Sequence, residues 1–471
     1  MKRLILLAAC LIGCVSLNAQ QKEDFTPFYK YRVYLKDKKH SPYSLSRPEE
    51  FLSEKAIARR KKQRIKLDTS DLPVNRSYID QVAACGVKPL HSSKWNNTVL
   101  VQTSDTAVME QVKSLAFVDS IRKVATYSTP IPLPDPKRKN KVKSSEKEEK
   151  KINFFEGVID DLVANNLNAS YLYGLAYNQI KMLNGIRLHE QGFRGQGMTI
   201  AVIDGGFSNV DAIPYFNHVK ILGTKDFALE GGNVYDEEEH GTMVLSCMAC
   251  NSRGQIVGTA PEASYWLLRS EDGHTEQLVE EDNWCAAIEY ADSVGADVVN
   301  TSLGYTEYDN KADNVRYWEL DGKTHLASRS ASMVASKGMI LCQAAGNDAF
   351  FSSWKLIGVP ADGKDILTVG ALNAKGINTN FSSLGPSADG RVKPDVCAQG
   401  ENCALVNERG KVTFADGTSF ASPITCGMVA CFWQAHPELD ALEVMDRIRK
   451  SGHNASHPDN VFGYGIPDYN N

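Results

Sequence analysis

Five apolar runs, at 198–203, 263–268, 296–302, 339–344 and 366–369, alternate along the second half of the chain with stretches whose apolar residues recur at helical spacing, at 179–191, 242–248, 278–294 and 325–336. A strand covered on both faces reads as a near-continuous apolar run, and strands separated by helices must be joined by crossovers. The pattern therefore predicts an α/β domain with a mostly parallel sheet and helices on both faces. Sites in such sheets lie beyond the carboxyl ends of the strands. Nearer the N-terminus the rhythm changes. Tyr31-Arg32-Val33-Tyr34-Leu35 and Thr98-Val99-Leu100-Val101-Gln102 alternate as half-buried strands do, and helical stretches such as 54–65 lie between them. This region is expected to be a small α+β domain.

Between the two lies a segment with neither rhythm. Pro130, Pro132, Pro134 and Pro136 favour extended chain, and 137–151 is almost wholly charged or polar. Such a segment cannot bury enough surface to offset its ordering entropy. It is expected to be exposed and easily cut, with a maturation cleavage between about 124 and 154. At the start, Lys2-Arg3 precede an apolar run from Leu4 to Leu17 and small or polar residues at Asn18-Ala19-Gln20, the three-part form of a secretory signal. The run is shorter than the ~20 residues of a membrane span. Leu11-Ile12-Gly13-Cys14 resembles a bacterial lipobox, but Cys14 is read first as one more apolar residue of the signal core, with lipid anchoring as the minority alternative. The expected organisation is a signal at 1–19, the α+β domain at 26–126, the linker at 127–172 and the α/β domain at 173–471, with no transmembrane segment in the mature chain.

Composition adds exclusions. With 471 residues, 42% hydrophobic and 23% charged, the chain is an ordinary soluble globular protein, and a net charge of −5 gives no whole-molecule case for nucleic acid. The basic run Arg59-Arg60-Lys61-Lys62 is read as a solvated helix face. Of 11 cysteines, eight lie in the second half. Export would permit disulfides but their pairing stays open, and Cys247-x-x-Cys250 is read as buried thiols rather than a zinc or redox pair.

Candidate chemistry is concentrated at strand and helix boundaries. Ser419 sits in Gly417-Thr418-Ser419-Phe420-Ala421-Ser422-Pro423, just before the apolar run Ile424 to Phe432. A serine hydroxyl needs a neighbouring base, itself oriented by a third group. His240, in His240-Gly241-Thr242, opens a helical stretch, and Asp204 closes a strand ahead of Gly205-Gly206. The chain order Asp, His, Ser is that of subtilisin, not of chymotrypsin or the α/β-hydrolases.

These motifs, with Ala344-Ala345-Gly346-Asn347, resemble the subtilisin-like serine proteases, or subtilases. The resemblance implies catalytic roles for Asp204, His240 and Ser419, an oxyanion donor at Asn347 beside the Ser419 N–H, and a substrate-pairing segment at Ser302-Leu303-Gly304. It implies an exported endopeptidase made as a zymogen, with polypeptide substrates and with the α+β domain as a propeptide that assists folding and then blocks the cleft. No redox or organic cofactor is needed; family members often bind structural calcium, and no ligand loop is evident for one. The close at Gly463-Tyr464-Gly465-Ile466-Pro467-Asp468 is similar to the end of the family core, so no appended domain is expected. Gly205 stands where many subtilases have Ser or Thr, and Met243 replaces a second His; neither change removes a proton-transfer group. Other readings fare worse. Ser302 misses G-x-S-x-G because position 300 is Asn, Gly195-x-Gly197 precedes its strand, and no Walker sequence occurs. A catalytically silent subtilase fold used for binding remains the alternative from another class.

Overall fold

The computed structural model describes residues 25–129, 169–350 and 353–470. The expected signal, Cys14 and nearly all of the expected linker lie outside these residues.

The first domain is a four-stranded antiparallel sheet, β1 (Phe28–Leu35), β2 (Lys88–Ser93), β3 (Thr98–Thr103) and β4 (Val118–Tyr127), in the order β2-β3-β1-β4. Three helices accompany it: α1 (Glu54–Lys62), α2 (Arg76–Ala84) and α3 (Val108–Lys113). The alternation in β1 sorts its side chains to two faces. Val33 and Leu35 pack with Val82 of α2 and Val112 of α3 in the domain's own core, while Phe28 and Tyr34 join an apolar cluster of the second domain.

The second domain carries a seven-stranded sheet whose ladders are all parallel. Its strands are β5 (Thr199–Asp204), β6 (Lys220–Asp226), β7 (Ser264–Arg269), β8 (Val298–Thr301), β9 (Ile340–Ala344), β10 (Leu367–Leu372) and β11 (Val396–Gln399). The spatial order is β11-β10-β9-β8-β5-β7-β6. The chain leaves β5 toward one edge and returns through β8 to the other side, so the switch point lies between the carboxyl ends of β5 and β8. One face is covered by α4 (His240–Ala249) and the buried helix α7 (Thr418–Ala435); the other by α5 (Val279–Val294) and α6 (Leu326–Met333). The expected helix over 179–191 is instead two short ones, Tyr177–Lys181 and Gly185–Glu190, separated where Asn184 takes a left-handed backbone at φ 56°. Two strands of this sheet escaped the sequence pattern. Lys220–Asp226 is an edge strand with only partial burial, and Val396–Gln399 is four residues long.

The first domain sits on α5, and charge holds it there. Arg32 pairs with Asp282 at 2.7 Å; Asp292 receives Arg59, Arg60 at 2.9 Å and Lys94 at 3.0 Å. Glu289 accepts from the Lys94 N–H at 2.6 Å, the Trp95 N–H at 3.1 Å and the Ser93 hydroxyl. The reading of 59–62 as a solvated face is therefore corrected in half: Arg59 and Arg60 are only 5% and 3% exposed, whereas Lys61 and Lys62 face solvent. The carboxylate that buries the two arginines lies more than 200 residues away, and no local pattern signals it.

All nine described cysteines are buried free thiols. Cys247 and Cys250 pack in the core beneath α4, where burial pushes the Cys247 thiol up to about 12.

Candidate active site

Asp204 is the last residue of β5, His240 the first of α4 and Ser419 the second of α7. Asn347 follows β9, and Ser302 follows β8 directly. All five, with Leu303 and Gly304, line one cavity of about 440 Å³ at the switch point. The seven residues singled out from sequence are thus brought together by the crossovers of a single sheet.

Two glycines let the strand end meet the helix start. A Cβ on Gly206 would lie 2.3 Å from the Glu237 carbonyl oxygen, and one on Gly241 would lie 2.3 Å from that of Gly206. With both absent, His240 Nδ1 donates to Asp204 Oδ1 at 2.7 Å, and the Gly205 N–H donates to the same oxygen at 2.9 Å. Asp204 is wholly buried and its Oδ2 has no partner among the described residues. Burial of His240 works against its charged form, but the Asp204 carboxylate and hydrogen bond, with Glu238 and Glu239, outweigh it and raise the imidazole above its ordinary 6.5. The carboxylate therefore both fixes the ring's orientation and favours its protonated state.

Ser419 is 9% exposed, and its hydroxyl donates to the Ser302 carbonyl at 3.3 Å rather than to His240. A second bond ties the same two residues in the opposite sense: the Ser302 hydroxyl donates to the Ser419 carbonyl at 2.8 Å. The reason lies four residues on. In an α-helix the Ser419 carbonyl would accept from the N–H of residue 423, but Pro423 has none. The proline inside α7 thus frees a carbonyl that anchors the 302–304 segment beside the serine. Ser302 is held further by the Asn300 amide at 3.1 Å, and Asn300 by the Ser422 hydroxyl at 2.9 Å.

Asn347 is exposed to the cavity, and its side-chain oxygen accepts from Thr418 N at 2.9 Å and Thr418 Oγ1 at 3.0 Å. With its oxygen engaged at the first residue of α7, the amide presents its N–H₂ as the remaining donor next to Ser419. Thr418, which fixes that orientation, was not singled out from sequence; its only signal is its place one residue before the serine. Glu238 and Glu271 also line the cavity and were likewise missed. Burial, together with the Asp204 charge, raises Glu271 to about 7. Among the described residues no group of three or more His, Cys, Asp or Glu side chains could hold a metal ion, and no helix is long and apolar enough to cross a membrane.

A parallel α/β sheet with an imidazole–carboxylate pair and a helix-start serine at its switch point, carrying a docked α+β domain, defines a serine-hydrolase-type catalytic domain with an N-terminal partner. Comparison with known families narrows this. Residues 195–465 match the subtilase family, and residues 30–146 match the peptidase S8 propeptide domain of Bacteroidota. The chain belongs to the subtilase family and carries its own propeptide ahead of a serine-protease-like domain. It is 31% identical over 312 residues to subtilisin NAT of Bacillus subtilis subsp. natto, covering 65% of this chain and 72% of that protein. Serine protease AprX of Bacillus subtilis is 28% identical over 316 residues, 60% of this chain and 67% of the relative. Among solved structures, fervidolysin from Fervidobacterium pennivorans, a keratinolytic enzyme related to subtilisin, superposes with a TM-score of 0.60. It covers 94% of this chain and 60% of its own at 18% identity, a likeness of fold alone.

Proposed function

We propose that this protein is an exported serine endopeptidase, synthesised as a zymogen, that hydrolyses peptide bonds through Asp204, His240 and Ser419. The supporting observation is the 2.7 Å bond from His240 Nδ1 to a wholly buried carboxylate, at the wall of the cavity that Ser419 also lines. On this reading the Ser419 hydroxyl leaves the Ser302 carbonyl for His240 Nε2 when substrate binds, since such bonds commonly form only then. Ser419 Oγ attacks the substrate carbonyl as His240 takes its proton. The tetrahedral oxyanion is met by the Asn347 amide and the Ser419 N–H. His240 then donates the proton to the leaving amine, and water, deprotonated by the same ring, releases the acid from the acyl-enzyme. Asp204 stays ionised throughout and holds the tautomer.

The segment 302–304 suits an extended polypeptide. Among the described residues the backbone N–H and C=O of Gly304 carry no hydrogen bond, so they are open to a substrate strand. Export follows from the signal-like pattern at 1–19 and is read out by N-terminal sequencing of the released form.

The test is Ser419→Ala beside the wild type. Wild-type protein should label with a serine-directed fluorophosphonate and cleave folded protein substrates as well as an ester. The variant should lose labelling, lose turnover by about 10⁶-fold and retain its propeptide uncut. Equal labelling or equal processing in the two would refute the proposal, and hydrolysis of the ester alone would refute its endopeptidase part.

A further inference from the structure

Two glycines in a row, Gly205 and Gly206, follow Asp204, and neither has a side chain that could hold the turn in place. Yet the turn has to be held. The Gly205 N–H donates to Asp204 Oδ1 at 2.9 Å, on the same oxygen that His240 Nδ1 meets at 2.7 Å. Gly206 also packs against the Glu237 carbonyl, and its own carbonyl against Gly241, each so closely that a Cβ would lie 2.3 Å from the oxygen. A shift of the 205–206 backbone would therefore move the carboxylate and the imidazole relative to one another.

The restraint comes from another strand. Arg269 is the last residue of β7, in register with Asp204 of β5 on one side and with Asp226 of β6 on the other. It is 2% exposed, so its guanidinium is buried at the carboxyl edge of the sheet. Nε donates to the Gly205 carbonyl at 2.9 Å, Nη1 to Asp226 Oδ2 at 2.9 Å and Nη2 to the Asp272 carbonyl at 3.3 Å, while Nη2 also stands 3.8 Å from the Glu237 carboxylate. Among the described residues no other group donates to the Gly205 carbonyl. One planar group thus ties the turn after Asp204 to the segment that leads into His240. Asp226, whose other oxygen accepts from the Ala228 and Leu229 N–H groups at 2.9 Å each, anchors that group to the sheet edge.

We propose, on the endopeptidase reading above, that Arg269 is a positioning residue for the reaction: its guanidinium fixes the Gly205–Gly206 turn so that Asp204 and His240 keep their hydrogen bond through turnover. An ion pair with Asp226 alone would use Nη1 only, and a lysine could make it. The bonds from Nε and Nη2 need donors spread at fixed angles, which the rigid fork of an arginine supplies. A buried guanidinium is costly unless its donors are engaged, and the one nearest the cleft is engaged on the carbonyl of the residue after Asp204.

The test uses the full chain, expressed and left to process. Arg269→Lys keeps a positive charge beside Asp226 but offers no second donor at a fixed angle to the Gly205 carbonyl. On a neutral fluorogenic peptide kcat should fall about 10- to 100-fold, the size of loss that small misplacements of a reacting group produce, with KM within about threefold of wild type. The acid limb of kcat/KM should move down toward pH 6.5, because the Asp204 hydrogen bond is part of what raises His240, while Glu238 and Glu239, its other acidic neighbours, are unchanged. Asp226→Asn removes the ion pair and leaves the Nε bond; it should lower the unfolding temperature and hold kcat within about threefold of wild type. Wild-type kcat and an unmoved acid limb in Arg269→Lys would overturn the inference. So would a loss of about tenfold or more in kcat in Asp226→Asn, which would put the effect in the sheet edge and which reads out even where Arg269→Lys does not fold. Absence of both fluorophosphonate labelling and cleavage in the wild type would instead overturn the endopeptidase reading itself.

Discussion

The two ends of helix Val279–Val294 treat negative charge in opposite ways. Along its length and toward its C-terminal end, acids meet arginines, a lysine and backbone N–H groups supplied by the propeptide: Asp282 with Arg32, Glu289 with 93–95, and Asp292 with Arg59, Arg60 and Lys94. At its N-terminal end Glu280, with Glu271 and Glu276 just before it, meets no cation among the described residues; burial raises all three above the usual carboxylate range, and Glu280 is hydrogen-bonded to the other two. The same side-chain chemistry thus serves two ends. Paired and buried, it makes a dock for another part of the chain; buried without a cation, it turns toward the protonated form and is satisfied by neighbouring acids.

The largest expected effect comes from breaking the paired side. Asp292→Ala would leave Arg59, Arg60 and Lys94 buried without their shared carboxylate, a loss of about 3–5 kcal/mol. In a Ser419→Ala background, where the propeptide cannot be removed by turnover, thermal unfolding should show the propeptide domain melting well below its position in the Ser419→Ala parent. Coincident transitions would show that the ionic dock contributes little.

The next change attacks the cleft and should spare the dock. On the proposed mechanism Asn347→Ala removes one of the two oxyanion donors and should cost about 10²–10³ in kcat, with little change in KM and none in the melting of the propeptide domain. A loss divided equally between kcat and KM, or one below tenfold, would remove Asn347 from the oxyanion role.

The smallest and most diagnostic change is pH. Because the neighbouring carboxylates raise His240 above 6.5, kcat/KM on a neutral peptide should fall about tenfold per pH unit below a midpoint above 6.5. Glu281 behaves oppositely. Burial alone would raise it, but the His325 hydrogen bond and charge, with Arg32 nearby, bring it down to about 2. A carboxyl depressed in the fold contributes stability that is complete above its unfolded value near 4.5 and is lost as pH falls toward 2. Between about pH 6 and 4.5 turnover should therefore be lost while the unfolding temperature of the Ser419→Ala zymogen barely moves. Parallel decline of both would erase the distinction between the two regions.

Some of this was legible from local pattern. The strand ends bearing Asp204 and Asn347 and the helix starts bearing His240 and Ser419 announce themselves because a doubly covered strand is apolar throughout and its end is marked by glycines. The edge strand 220–226 was not legible, since half its side chains face water and its apolar run is broken. The burial of Arg59 and Arg60 was hidden for a different reason: a basic helix is solvated or buried according to what lies opposite, and Asp292 is supplied from another domain. The role of Pro423 was hidden too, because a missing N–H matters only once the carbonyl it would have bonded is seen to hold Ser302.

What the amino-acid order determined alone is the chemistry on offer: an acid, an imidazole and a hydroxyl, each placed at the end of a regular element by the period of its neighbours. What only the tertiary structure decided is which charges meet. Ion pairing falls off within a few ångströms and is indifferent to separation along the chain, so the contrast between the ionic dock and the cation-free acids at the other end of the helix exists only after the crossovers have set helix, sheet and propeptide against one another.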